Sequence, residues 1–181
     1  MKAGDCVHIP YMYTDAEIKE ALNSMTILID TREQQNEHIT KYFDTKGIRY
    51  KTRKLDTGDY MAVIPPNEKL GIIKPIQFQA AIERKNSIDE LAQSIKERNR
   101  FENELIRAQK LHFTMIVEDP NGYENILKGN YRSQYKPQAL LGSLKTFESR
   151  YHFSTVFLLD RTVGNYIYHH FYYLARNQLK C

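Results

Sequence analysis

Ala80-Ala81-Ile82-Glu83-Arg84-Lys85-Asn86-Ser87-Ile88-Asp89 is the stretch on which the reading of this chain turns. It carries the chain from a strand into a helix. The strand reading runs from Ile76 to Lys85. Strand side chains alternate, so Glu83 and Lys85 share one face while Ile82 and Arg84 take the other. From Ser87 to Lys110 there is neither Gly nor Pro, and Ile88, Leu91, Ile95, Leu105 and Ala108 give the segment its apolar positions. That pattern predicts two helical pieces with a break near Asn99.

Upstream, Thr26-Ile27-Leu28-Ile29-Asp30 is a continuous apolar run ending in an acid, which suits a buried strand that delivers a polar group at its C-terminal end. Residues 34–46 read as a helix, with Ile39 and Phe43 four apart and Gly47 where a terminating glycine belongs. Thr14 to Glu17 is a capping box opening a short helix over Asp15–Asn23, and residues 1–13 read as irregular. Ile48 to Leu55 alternates, Asp56-Thr57-Gly58-Asp59 supplies turn chemistry, and Tyr60–Ile64 is a strand. Pro65, Pro66 and Pro75 bracket a long loop containing Gly71, so the Tyr60 and Ile76 strands form an antiparallel hairpin. Downstream come a strand over Phe113–Glu118, a loop over 119–137, a helix over Gln138–Arg150, a strand over Ser154–Leu159 and a helix over Val163–Leu179. Alternating strands and helices predict an α/β domain, with a mixed central sheet flanked by helices on both faces. The expected organisation is an N-terminal segment, 1–25, followed by one domain, 26–179.

Composition bounds the function classes. The 181 residues are 41% apolar, enough for an ordinary core without staples. No apolar run approaches the ~20 residues of a membrane span, and Met1–Pro10 has no apolar core of a secretory signal. Only Cys6 and Cys181 are present, which excludes a disulfide scaffold and a cysteine-rich zinc site. A reducing, cytoplasmic compartment is the expectation. A formal charge of +4 permits a polyanionic partner without demanding one.

Three places put carboxylates where a sheet could gather them: Asp30-Thr31-Arg32-Glu33 after the first strand, Gly58-Asp59-Tyr60 where the second begins, and Glu83-Arg84-Lys85 within the third. Acids from adjacent strands hold a hard divalent cation through oxygen. Such a cation lowers the pKa of bound water and neutralises charge developing on a phosphate, and a lysine beside it steadies the transition state electrostatically. Asp59 followed by Glu83-x-Lys85 satisfies the D…(D/E)-x-K pattern of restriction-endonuclease-like nucleases. Standing alone, that pattern reads equally as a solvated strand face with a Glu–Lys pair.

The surrounding residues are more specific. Ile27-Leu28-Ile29-Asp30-Thr31-Arg32-Glu33, then Gly58-Asp59-Tyr60, then Glu83-Arg84-Lys85 with Asp89, and then a helix carrying Ser94-Ile95, Arg98 and Arg100 occur in that order. Together they resemble the nuclease domain of the XPF-type structure-specific endonucleases, from about Thr26 to Asn177. The resemblance implies a restriction-endonuclease-like fold and a Mg²⁺- or Mn²⁺-dependent DNA endonuclease acting on branched or single-strand-containing DNA. It implies Asp59 and Glu83 as principal metal ligands, Glu33 as a further ligand directly or through water, and Lys85 as the catalytic lysine. Asp30, Arg32, Arg84 and Asp89 are implied as supporting residues. Alternation turns Arg84 away from Glu83, toward Asp89 or another acid behind the strand. Two features depart from the family pattern. Asp59 and Glu83 are separated by 23 residues, because the hairpin carries the 65–75 loop, which could shield or extend a substrate groove. The sequence also has no G-x-G, and only Gly164 lies beyond residue 150, so no helix-hairpin-helix module is read here.

Five of the nine residues in Lys46–Lys54 are basic, and Arg49, Lys51 and Arg53 share a face. They read either as a solvated edge strand or as a phosphate-contacting rim leading to Asp59. The 119–137 loop carries Tyr123, Lys128, Tyr131, Arg132, Tyr135 and Lys136, suited to phosphate contact and base stacking as well as to ordinary loop packing. Arg100 joins these as a DNA-binding candidate. The six histidines have no metal-ligand spacing and read as structural or surface residues. The last helix has a stripe of Ile167, Phe171 and Leu174, with Tyr166, Tyr168, Tyr172 and Tyr173 elsewhere. That surplus reads as two-sided core packing or as a homodimer contact built from about Gln138 to Leu179, the end through which the resembled family pairs. The rivals to an endonuclease are an inactive DNA-binding or scaffolding member of the fold, and another restriction-like enzyme such as an exonuclease or RNA nuclease.

Overall fold

The computed structural model describes residues 13–180. Most of the expected irregular segment 1–13, together with Cys6 and Cys181, lies outside the described residues. The strands are β1 (Thr26–Ile29), β2 (Arg49–Thr52), β3 (Tyr60–Ile64), β4 (Ile76–Gln77), β5 (Ala80–Lys85), β6 (His112–Val117) and β7 (Ser154–Phe157). The helices are α1 (Asp15–Asn23), α2 (Glu37–Lys46), α3 (Ile88–Lys96), α4 (Arg98–Ala108), α5 (Gly122–Lys128), α6 (Pro137–Tyr151) and α7 (Asp160–Lys180). One mixed sheet runs β2-β1-β3-β5-β6-β7, with β4 on β3. β1 pairs parallel with β2 and antiparallel with β3, while β5, β6 and β7 run parallel.

Burial explains the layering. β1 and β5 are buried along their whole length, because helices cover both faces of the sheet. On one face Ile27, Ile29, Ala62, Ile82 and Ile116 pack beneath α1, α2 and α7. On the other, Leu28, Met61, Ala81, Met115 and Val117 pack beneath α3, α4 and α6. The Thr14 capping box forms as read, and Gly47 closes α2 in the left-handed region. Among the described residues no helix is long and apolar enough to cross a membrane.

Four local readings need correction. The expected strand Ile76–Lys85 is two strands, interrupted at Phe78 and Gln79, although Ile76, Phe78, Ala80 and Ile82 keep their alternation toward one core layer. The helical break after α3 falls at Glu97 rather than Asn99. The expected loop 119–137 contains α5, held by the buried Gly122 and Ile126. The 65–75 loop holds a 3₁₀ turn, Glu68–Leu70, and is pinned by buried Leu70 and Ile72 at the Ile64 end of β3. Asp59 lies at the opposite end of that strand, so the loop does not shield the groove.

Candidate active site

β1, β3 and β5 deliver their acids at the same end of the sheet because β3 runs antiparallel to both neighbours. The backbone of Asp59 bridges them: its N–H donates to the Ile82 carbonyl at 2.8 Å, and its carbonyl accepts the Asp30 N–H at 2.8 Å. Gly58 makes this approach possible. Its φ is +73°, and a Cβ there would stand 3.0 Å from the Ala81 Cβ and 3.1 Å from the Ile82 carbonyl oxygen. Only glycine combines that conformation with that clearance.

Asp59 Oδ2 accepts the backbone N–H of Arg84 at 2.8 Å, which fixes its carboxylate beside β5. Glu83 and Lys85 point to the α3/α4 face, as alternation requires, and both are almost fully buried. Lys85 Nζ donates to Glu83 Oε1 at 2.6 Å. Burial pushes the Asp59 carboxyl up to about 7, with the Glu33 charge adding to it and the Arg84 N–H and the Lys85 ammonium opposing. Burial, and then the Asp59 charge, also hold Glu83 well above the usual carboxylate range. Burial works against the Lys85 ammonium, but the Glu83 carboxylate outweighs it and holds Lys85 above its ordinary value. Lys85 is therefore a fixed cation at neutral pH, suited to electrostatic stabilisation rather than proton abstraction.

Arg84 points to the opposite face and is buried. Its Nε donates to Glu33 Oε1 at 2.7 Å, its Nη2 lies 2.6 Å from the same oxygen, and its Nη1 lies 3.1 Å from Glu118 Oε2. Glu118 Oε1 in turn meets His38 Nε2 at 2.8 Å. Of the two expected partners for Arg84, Asp89 or another acid behind the strand, the structure gives the second, because Asp89 is taken by Arg132, whose Nε donates to Asp89 Oδ2 at 2.8 Å. Glu33 lies in the same cleft as Asp59 and Glu83, but one of its oxygens is engaged by Arg84 and by the Tyr60 hydroxyl at 3.3 Å. Asp30 is fully buried and braces the backbone. Its Oδ1 accepts the Arg32 N–H and Nε, and its Oδ2 accepts the Leu55 N–H at 2.6 Å. Burial raises its pKa, but the Arg32 side chain and these N–H groups outweigh that and hold it below the usual value.

Arg32, Glu33, Asp59, Glu83, Arg84 and Lys85 line a cleft of about 340 Å³ with Glu90, Glu97, Arg100 and Glu104. Six carboxylates there face four cations, Arg32, Arg84, Lys85 and Arg100. Glu104 on α4 and the Glu118–His38 pair were not singled out from sequence. Glu118 alone gave a signal, as an acid ending an apolar run in the manner of Asp30. Among the described residues no group of three or more His, Cys, Asp or Glu side chains is arranged to hold a metal ion. The residues nevertheless fit a hard divalent cation. Asp59 and Glu83 are all-oxygen donors, and the Asp59 charge helps raise the Glu83 carboxyl, in a cleft with excess negative charge. A Mg²⁺-type ion is commonly held by one or two carboxylates, with water and substrate phosphate completing its shell.

The nucleic-acid candidates do not form one patch. Arg100 is in the cleft and pairs with Glu97 at 3.3 Å, Lys128 pairs with Glu124 and Arg132 with Asp89. Lys136 is exposed at the start of α6. Arg49 and Lys51 are exposed on β2, which is an edge strand, and Arg53 follows it beside a separate pocket. On α7, Phe171 is wholly in the core, and Tyr166, Tyr168 and Tyr172 are half-buried against it. Tyr173 remains 56% exposed. Among the described residues the histidines gather no metal site, although His112 and His170 rings lie 5.3 Å apart.

A family model described as the ERCC4 domain matches residues 29–170. Two solved structures share the fold. XPF from Aeropyrum pernix is 17% identical at a TM-score of 0.57, over 84% of this chain and 64% of that one. XPF from Aeropyrum pernix in complex with DNA is 17% identical at 0.57, over 86% and 65%. The chain thus spans just under two thirds of the length of these structures. No curated protein matches it by sequence.

Proposed function

The chain belongs to the ERCC4 domain family, and on that premise we propose that it is a divalent-metal-dependent DNA endonuclease acting on branched or single-strand-containing DNA. The domain is of the nuclease type, and nucleases of this family depend on divalent metal in general. The observation that carries the proposal is the convergence of Asp59 and Glu83 from adjacent antiparallel strands, with the Lys85 ammonium 2.6 Å from Glu83. That the Aeropyrum pernix XPF was solved in complex with DNA supports DNA as the substrate.

Asp59 and Glu83 would hold the ion, Mg²⁺ or Mn²⁺, with Glu33 as a further ligand directly or through water. Bound there, the ion would neutralise charge on the scissile phosphate and activate water for in-line attack. The chain's own residues do the rest. Lys85 presents a fixed positive charge to the phosphate, and the Arg84 N–H holds the Asp59 carboxylate in place. The Arg84 side chain, braced by Glu118 and His38, fixes Glu33. The expected products are 5′-phosphate and 3′-hydroxyl ends. Residues 26–179 are the proposed nuclease domain. Its proposed assembly is a homodimer in which the β7 edge and the exposed Tyr173 on α7 meet a second copy.

Labelled fork, flap, linear duplex and RNA substrates, each incubated with and without Mg²⁺, test the proposal. Metal-dependent internal cuts in forked or flapped DNA are expected. Digestion only from ends, or of RNA alone, would replace the reading with one of its rivals.

A further inference from the structure

A second polar pocket, of about 280 Å³, lies beside the cleft. Arg53 and Lys54, just after β2, and Arg107 on α4 border it, with Gln77 and Gln79 from the β4 region and a single acid, Asp56. Its floor includes Leu55 and Met61, which belong to the same apolar layer as Met115, the register partner of Glu83. The pocket and the catalytic pair therefore open on the same face of the sheet.

Two structural links join the sites. Arg100, Glu104 and Arg107 recur at i, i+4 and i+7 on α4, so one helical stripe passes from the cleft to the pocket. The rise from Glu104 to Arg107 is only about 4.5 Å along the axis. Asp30 supplies the second link. It binds Arg32, which lines the cleft, and the Leu55 N–H, while Arg32 Nη2 donates to the Leu55 carbonyl at 3.3 Å.

The charge state separates this pocket from the Arg100, Lys128 and Arg132 sites. Arg100, Lys128 and Arg132 are each neutralised by a carboxylate. Among the described residues, Arg53, Lys54 and Arg107 make no ion pair, and three cations surround one acid. Two arginine forks match phosphate oxygens bidentately, the lysine adds a point charge, and the glutamine amides add neutral donors. A polyanion threading an acid-rich cleft needs such a cationic anchor next to it.

We propose that the Arg53/Lys54/Arg107 pocket is a phosphate subsite that grips the nucleic-acid backbone beside the scissile position. The proposal rests on the reading of the chain as a nuclease, but its test does not require cleavage. The full chain is titrated in EDTA against a short fluorescein-labelled duplex over a NaCl series, with anisotropy as the readout. Arg107→Gln and Lys54→Gln should each lower the slope of log affinity against log salt by about 0.9, and together by about 1.8. Lys19→Gln, an exposed lysine on α1 under the opposite face, should leave the slope unchanged. Circular dichroism confirms folding, and Lys54→Arg should restore the wild-type slope. An unchanged slope in the double variant overturns the subsite even if the protein cuts DNA, and so does a wild-type chain that binds no DNA. A chain that shows the slope changes but never cuts keeps the subsite and refutes the nuclease. Inorganic phosphate at matched ionic strength should compete only weakly. Displacement of the duplex by millimolar phosphate would assign the pocket to a free anion and overturn the strand reading.

Discussion

Replacing Asp59 by asparagine should make the metal-free protein more stable while destroying its activity. Asparagine keeps the shape and the oxygen that accepts the Arg84 N–H at 2.8 Å, and removes only the charge. Burial raises the Asp59 carboxyl to about 7, so the folded state binds a proton that the unfolded chain releases near pH 4. Stability therefore falls as pH rises from about 4 through about 7, and stays low above that. Three units at about 1.4 kcal/mol each give about 4 kcal/mol as an upper bound. The side chain is partly exposed and its charge also bears on the Glu83 carboxyl, which brings the expected gain to about 2–4 kcal/mol at pH 8. For a chain of this size that is a rise in Tm of roughly 5–12 °C. Urea unfolding of both proteins in EDTA at pH 4 and pH 8 measures it. The gain should shrink below about 1 kcal/mol at pH 4, where the wild-type carboxyl is protonated too. Mg²⁺ should raise the Tm of the wild type and leave the variant unmoved. A variant no more stable than wild type at pH 8, or a gain independent of pH, refutes the reasoning.

Glu118→Gln weakens the hold on Arg84 without touching the cleft, so it should lower kcat with little change in KM, and the two constants on one flap substrate decide it. Gly58→Ala forces a side chain into a left-handed backbone 3.0 Å from the Ala81 Cβ and should cost about 1–3 kcal/mol by urea unfolding, whereas wild-type stability would mean that the turn relaxes freely. Tyr173→Glu should dissociate the proposed homodimer, read by light scattering at micromolar concentration. A wild-type mass near 21.4 kDa would leave α7 as core packing only.

Local chemistry made much of this legible. The Thr14 capping box, the apolar run ending at Asp30, the Gly58-Asp59 turn and the shared face of Glu83 and Lys85 each follow from a few neighbouring residues. What was missed depends on distant partners. Arg84 was expected to find an acid behind its strand, but which one depends on β6 lying beside β5, where the Glu118 N–H meets the Lys85 carbonyl at 2.9 Å. Alternation runs unbroken through Phe78 and Gln79, so it could not show that the ladder is interrupted there. α5 spans seven residues, and with Gly122 and Ile126 as its buried positions it has too short a stripe for periodicity to detect. Whether a basic residue is free for phosphate depends on its carboxylate neighbour, which for Arg132 comes from α3, 43 positions away.

The central claim is that Asp59, Glu83 and Lys85 form one phosphodiester-cleaving centre. The measurement that tests it most directly is the single-turnover cleavage rate of Lys85→Ala on a labelled DNA flap in Mg²⁺, at protein concentrations that saturate binding. Loss of a fixed charge at the reacting phosphate should lower that rate at least ~100-fold while the flap is still bound. A rate equal to wild type would contradict the account.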